Sequence, residues 1–405
     1  MSRRLLLVSD TASTGFGRVG RELGARFIDA GWDLRIIGIN HRGRAGEVAA
    51  LAAKDATPAQ IARFLTDFDA DPVHQRTIPA SAGGDSMGHG LIGPAMAGTL
   101  WPGWTPERLL FVADPEAMRQ RVGLVGAFRI PAWNYVPIEG SGLPPAYEAI
   151  WRTVEPVAMS RFGAEQLAIL LGRDVAMIPH GVSSAFRPLD KAASKARFGL
   201  TDHLVLLRCD RFVPRKNYPA LLRSVAPVLA AHPEAVLVIH CAPVDEGGDL
   251  ATLVSRMPGA FCTGGVWRHP QVRVTGGHDT FRGLDDDVLA ALYSAADIYL
   301  SPTRAEGFGL TLAEAAACGV PVVTTDYAAG PEAVGPGASL ARVDRMVTNQ
   351  FGFEWGEVSE HHFAELTSAL AADPELRIRQ GTAGRDWIGR FNWNDAAQAF
   401  LELMG

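Results

Sequence analysis

Two carboxylates, Glu306 and Glu314, are separated by seven residues that begin with a Gly-Phe-Gly turn, in the stretch 297–332, DIYLSPTRAEGFGLTLAEAAACGVPVVTTDYAAGPE. The apolar run 298–301 reads as a buried strand, helical spacing begins near Gly309, and a second apolar run covers 320–324. Glu306 then lies in the loop at a strand's carboxyl end, and Glu314 about five residues into the helix. Gly307 and Gly309 let the backbone approach a ligand, and the first free N–H groups of a helix attract an anion. In open α/β sheets, ligands bind at the carboxyl ends of the strands. Such a loop offers amides to a phosphate and two carboxylates to hydroxyls, the groups a nucleotide sugar presents. The plain alternative is a pair of solvated acids.

Three other patterns invite chemistry. Gly15, Gly17 and Gly20 spell G-x-G-x-x-G in TGFGRVG. A dinucleotide fingerprint needs its first Gly almost directly after the strand and an acid ending the next strand. Here six residues separate Val8 from Gly15, and the next strand ends at Asn40, His41 and Arg42. An NADP-dependent oxidoreductase using Arg42 or Arg44 is the alternative reading. Asp285, Asp286 and Asp287 suggest a D-x-D metal site, but they immediately precede a helical pattern at 288–294, where acids favour the helix N-terminus. His361 and His362 have no partner ligands nearby in sequence for zinc. No metal site is expected.

Positioning these residues requires a large α/β scaffold. Apolar runs at 4–8, 34–39, 109–113, 154–159, 175–178, 204–209, 235–240, 272–275, 298–301 and 320–324 alternate with helix-length segments. Continuous Val/Leu/Ile runs of this kind predict parallel sheets covered on both faces. They exceed one comfortable sheet, and the polar stretch HGVSSAFRPLD at 180–190 is the natural break. The expected division is an N-terminal Rossmann-like domain over 1–183, a C-terminal one over 184–385, and a helical segment 386–405 returning toward the first. Helices are expected over 374–390 and 394–404.

The 405 residues include 38 Lys plus Arg and 44 Asp plus Glu, a formal charge of −6. Residues 1–185 carry 18 of each sign, so neither half is a basic nucleic-acid module. Cys209, Cys241, Cys262 and Cys318 are widely spaced, as expected of reduced, buried thiols. The apolar run at 5–8 is too short for a signal peptide, and the uncharged stretch 86–106 is rich in Gly and Pro. The expected location is cytoplasmic, with at most peripheral membrane contact.

The segment 297–332 resembles the E-x7-E signature of the retaining glycosyltransferases of the GT-B fold. MSRFGAEQL (159–167), IPHGV (178–182) and the lead-in LYSAADIYLSPT are similar to further stretches of that family. The resemblance covers about 155–335 and is vaguer before 150. It implies two Rossmann-like domains facing a cleft, with bridging C-terminal helices. It also implies a basic pair after the first strand of the C-terminal half, which Arg211 and Lys216 supply, to neutralise the donor diphosphate. Lys216 is one of four lysines against 34 arginines.

By similarity, Glu306 is expected to bind hydroxyls of the donor sugar and Glu314 the ribose. Gly307, Phe308, Gly309, Leu310 and Thr311 are expected to contact sugar and phosphate, and Gly15, Phe16 and Gly17 to face the cleft. Asp114, after the 109–113 strand, stands near the place of the family's acceptor-side His, though a helix N-cap accounts for it equally. Glu139 is a candidate acceptor contact, with a turn acid the plainer alternative. Donor-base selection is expected near 276–284. The implied reaction moves a hexose from a nucleoside-diphosphate sugar, UDP- or GDP-linked, to a hydroxyl acceptor (glycan, lipid-linked glycan or small molecule), without a metal or cofactor. Protein and a modified DNA base are the less expected acceptors, and a monomer or homodimer is anticipated.

Overall fold

A computed structural model describes residues 3–12, 14–53, 56–275 and 283–405. Seven parallel strands form the first sheet: β1 (Arg4–Asp10), β2 (Asp33–Ile39), β3 (Thr77–Pro79), β4 (Arg108–Val112), β5 (Ala132–Val136), β6 (Glu155–Ala158) and β7 (Ala176–Met177). Their order is β3-β2-β1-β4-β5-β6-β7. The C-terminal half begins with β8 (Leu204–Cys209) and β9 (Ala235–His240), then two small hairpins, β10 (Val244–Asp245) with β11 (Gly248–Asp249) and β12 (Phe261–Thr263) with β13 (Val266–Arg268). It continues through β14 (Val272–Val274), β15 (Ile298–Ser301), β16 (Val322–Thr325) and β17 (Ala338–Ala341) to a last hairpin, β18 (Val343–Thr348) with β19 (Glu354–Val358). The second sheet is parallel in the order β14-β9-β8-β15-β16-β17. Both sheets are the doubly wound kind anticipated from the apolar runs.

The two faces of β1 show why such runs are needed. Leu5 and Leu7 pack with Val19, Leu23 and Phe27 of the helix Gly15–Asp29, while Leu6 and Val8 join Leu91, Ile92 and Met118 on the opposite face. Successive side chains of a strand point to opposite faces, and both faces here are covered, so neither set can be polar. Strands β3 and β17 are short and β5 (AWNYV) has a buried Asn134, so none was marked by an apolar run. Asn134 is satisfied by the carbonyl of Ala113 at 3.0 Å.

The halves are sewn together. The last helix, Trp393–Met404, returns to the first half, where Phe400 meets the rings of Phe27 and Tyr135 at 6.3 and 4.9 Å between centroids. The β18–β19 hairpin carries Phe353 into the first half's core, 5.3 Å from Tyr147. Glu332 accepts the backbone N–H groups of Arg161 and Phe162 at 2.8 and 2.7 Å, capping the opposite half's helix Arg161–Leu171. Among the described residues no helix is long and apolar enough to cross a membrane. Cys209, Cys241 and Cys318 are buried thiols, but Cys262 is exposed, contrary to expectation, because it sits on the projecting β12–β13 hairpin.

Candidate active site

The site grows from the carboxyl ends of β8 and β15, adjacent strands of the second sheet. After β8 the chain makes a tight turn, Pro214–Lys216, closed by Asn217 in the left-handed region (φ 54°), from which the helix Tyr218–Ala231 departs. Asn tolerates that conformation better than most residues. The turn aims Lys216 inward: its Nζ lies 2.7 Å from Glu306 Oε1 and 2.9 Å from Asp210 Oδ2. Arg215 reaches the other oxygen, Nη1 to Glu306 Oε2 at 2.9 Å, and its Nη2 stands 2.7 Å from Glu139 Oε1 of the first half. Burial alone would raise the Glu306 pKa, but Lys216 and Arg215 outweigh it and hold the carboxyl below its ordinary range.

Gly309 adopts φ 102° and starts the helix Leu310–Ala317. A side chain at Gly307 would place its Cβ 2.3 Å from Pro137 Cβ, so only glycine lets the two halves meet here. Phe308 packs 4.6 Å from the ring of His180, which also faces Trp393 at 5.4 Å and shares Nδ1 with Tyr135 Oη at 2.8 Å. Burial pushes His180 down to about 3, so it stays neutral as a packing element.

Glu314 is buried one turn into the helix. Tyr293 donates to its Oε2 at 2.9 Å, and Arg18 Nε stands 3.3 Å from its Oε1. The same guanidinium binds Asp286 at 2.7 and 2.8 Å, so one arginine of the first half spans the cleft to two acids of the second. Burial pushes Glu314 up to about 7 despite Arg18 and Tyr293. Above them is a cavity of about 180 Å³, lined by Thr14, Gly15, Asp210, Arg211, His240 and Thr311 among others.

The structure thus gathers Lys216, Glu306 and Glu139 in one charge network, and brings Gly15, Arg211, Leu310, Thr311 and Glu314 to one cavity. Arg211, expected with Lys216 at the donor diphosphate, lines the cavity and does not touch Glu306. It is held by Asp245 at 2.9 and 3.1 Å and by Glu246 at 3.0 Å, and Arg215 takes the place beside Lys216. Phe16 packs against the core, and Gly17 is required by packing, since a Cβ there would lie 1.8 Å from the Ala12 carbonyl oxygen. Asp114 caps a helix by accepting the Ala117 N–H at 2.8 Å, and lies near enough for its charge to act on Glu139. Of the three aspartates, Asp286 is Arg18's partner and no metal-holding cluster occurs among the described residues. Arg44 is paired with Asp69 at 2.8 Å, away from the glycine loop. Residues 276–282, where base selection was expected, lie outside the described residues; Gly283 and Leu284 line the cavity.

Arg18, Asp210, Arg215 and Tyr293 were not singled out as site residues. Asp210 and Arg215 each immediately precede a member of the basic pair in CDRFVPRKN, and a strand-end acid was the available signal. Nothing local joins Arg18 or Tyr293 to Glu314.

Two facing Rossmann-like sheets with the site between them define the GT-B architecture. HepE of Anabaena, solved in complex with UDP and glucose, superposes with a TM-score of 0.71 at 14% identity over 100% of this chain and 99% of its own. Sucrose-phosphate synthase of Thermosynechococcus elongatus does so with 0.69 at 18%, over 99% and 98%. Residues 203–351 match the family model of glycosyl transferases group 1, and the chain is a glycosyltransferase. It is 29% identical over 336 residues to a GDP-mannose-dependent alpha-(1-6)-phosphatidylinositol monomannoside mannosyltransferase of Mycolicibacterium smegmatis, covering 78% of each chain. It is 32% identical over 306 residues to a D-inositol 3-phosphate glycosyltransferase of Streptomyces bingchenggensis, covering 71% of this chain and 62% of that one.

Proposed function

We propose that this chain is a retaining, metal-independent hexosyltransferase, taking its sugar from a nucleoside-diphosphate donor held by residues 184–385 and passing it to a hydroxyl of an acceptor held by residues 1–183. The observation that carries the reading is the network Arg215–Glu306–Lys216–Asp210 at the carboxyl ends of β8 and β15, beside the start of the helix Leu310–Ala317. Negative charge grows on the departing diphosphate, and cations fixed in place before the reaction stabilise it without reorganisation. Lys216, Arg215 and the helix's first amides are the groups that support this reading, with Glu306 held ionised between the two cations.

The carboxylates are already engaged: Glu306 by two cations, Glu314 by Arg18 and Tyr293. The cavity, about 180 Å³, is below the roughly 300–1,000 Å³ of ordinary ligand pockets. Donor entry therefore involves exchange, with Glu314 giving up Arg18 for the ribose and the cleft widening around the nucleotide. Reclosure then excludes water, whose attack on the donor is the obvious side reaction. On the acceptor side we assign Glu139, tied to Arg215, and Asp114 as the groups that meet the reacting sugar. GDP-mannose and inositol phosphates, named for the bacterial relatives, are the first donor and acceptor to try, with UDP-sugars beside them.

The test is transfer from a panel of UDP-, GDP- and ADP-sugars to polyol and glycan acceptors, with EDTA present, following the anomeric proton of the product by NMR. An α-linked product from an α-linked donor supports the reading. An inverted product, or turnover abolished by EDTA and restored by magnesium, overturns the retaining or the metal-independent part respectively.

A further inference from the structure

Residues 250–278 contain Arg256, Arg268 and Arg273 and no Asp or Glu, in a chain where acids outnumber bases 44 to 38. The middle of this stretch is the β12–β13 hairpin, which belongs to neither main sheet. Its register pairs Phe261 with Arg268, Cys262 with Trp267 and Thr263 with Val266, and its tip is Gly264-Gly265, both at positive φ. All eight residues 261–268 are exposed, with Phe261 and Val266 each at 47% and Trp267 at 43%. A two-stranded hairpin is marginal in water by itself, and this one is steadied at its base, where His269 Nε2 and the Pro258 carbonyl are 3.0 Å apart.

Side chains alternate across a strand, so Phe261 and Val266 lie on one face of the ribbon and Trp267 on the other. A rigid protein partner would cover one face. A fluid interface into which the ribbon dips wets both, and the side-chain-free Gly264-Gly265 tip offers no obstacle. Aromatic rings favour the headgroup level of a bilayer, and arginines beside them favour anionic headgroups. Arg256 and Arg268 are exposed and have no ion pair among the described residues. Just before the ribbon in the chain, Arg256, Met257 and Pro258 line an apolar groove with Pro219, Leu222, Ala226 and Leu253.

We propose that the β12–β13 hairpin, with Arg256 and Arg268, docks this chain reversibly on an anionic lipid surface. The inference rests on this surface alone and is independent of the donor chemistry proposed above.

The test is co-sedimentation of the full chain with phosphatidylcholine vesicles, with and without phosphatidylglycerol, at low and high salt. Binding to the phosphatidylglycerol vesicles at low salt is expected, with weak binding to phosphatidylcholine alone. Phe261→Ser with Trp267→Ser, and separately Arg256→Glu with Arg268→Glu, should each weaken it by on the order of tenfold or more. All four side chains are exposed, so unchanged melting temperature and sugar transfer in solution serve as the folding control. Trp267→Phe supplies a second readout: the blue shift in tryptophan emission on vesicles should largely disappear. Absence of binding to phosphatidylglycerol vesicles at low salt overturns the proposal, as does binding by both double variants equal to the parent's. A Trp267-dependent dimer that ignores vesicles would assign the hairpin to a second copy and overturn it equally.

Discussion

Arg18 Nε lies 3.3 Å from Glu314 Oε1, joining the first turn of the first half's first helix to the helix that follows the glycine turn of the second. The guanidinium also holds Asp286, so the cleft is closed by one cation between two anions. Removing one member of a buried pair strands the other's charge, typically at a cost of about 3–5 kcal/mol. Arg18→Ala should cost less than that range near neutral pH, because Glu314, already pushed up to about 7, takes up a proton and Tyr293 still donates to it. Adding Glu314→Gln should recover part of the loss, giving a coupling energy of about 1 kcal/mol or more in urea unfolding. Strict additivity would mean the pair does not interact.

Lys216→Ala should lower transfer by roughly 10²–10³-fold, the usual effect of deleting one fixed charge donor. Its network position adds a second expectation: Asp210 keeps Arg208 at 3.3 Å and Glu306 keeps Arg215, so the variant folds, with reduced stability. Steady-state transfer and a melting curve check both. A variant with more than half the parent's activity removes Lys216 from the account.

Arg215→Lys separates the two bonds of that side chain. A single ammonium cannot reproduce the fork that reaches Glu306 and Glu139 together. Loss of transfer comparable to Arg215→Ala is expected, and full activity in Arg215→Lys would show that the bridge between halves is unnecessary.

Glu314 gives a pH signature. Its folded pKa, about 7, lies above the ordinary 4.5. Below about pH 4.5 folded and unfolded chains both hold the proton. As pH rises toward 7 the unfolded chain releases it first, so this group's contribution to stability is lost through that window. Glu306 runs the other way: its depressed pKa contributes stability above the ordinary value, which is lost as pH falls. Between pH 5 and 8, Glu314→Gln should therefore gain on the parent by about 1.4 kcal/mol or more. A constant difference across that range in urea unfolding would contradict the assignment.

Gly307→Ala drives a methyl into Pro137 across the cleft. Overpacking of this kind costs about 1–3 kcal/mol, and here it also wedges the halves apart. Transfer should fall with stability, as Gly123→Ala, with open space around it and no left-handed backbone, would not. That comparison is made by melting temperature and activity together.

Glu306, Glu314 and the glycine turn were legible because strand, turn and helix are contiguous in the chain. The doubly wound sheets were legible from Leu5 to Val8 and their like, since a strand covered on both faces has no polar side. Arg18 with Glu314, 296 positions away by the fold's pairing, left no local trace. Arg215 was not picked out beside Lys216, because only the turn at 214–216 and the left-handed Asn217 bring it to Glu306. Strand β5 hid behind Asn134, a polar residue whose partner carbonyls exist only in the folded sheet.

The most direct test of the central claim is thermal stabilisation by UDP, GDP, ADP and NADP⁺, each at about 100 times its Kd, where binding adds roughly 2.7 kcal/mol. The account predicts a clear shift with one nucleoside diphosphate, lost in Lys216→Ala. Stabilisation by NADP⁺ alone, undiminished in that variant, would contradict it.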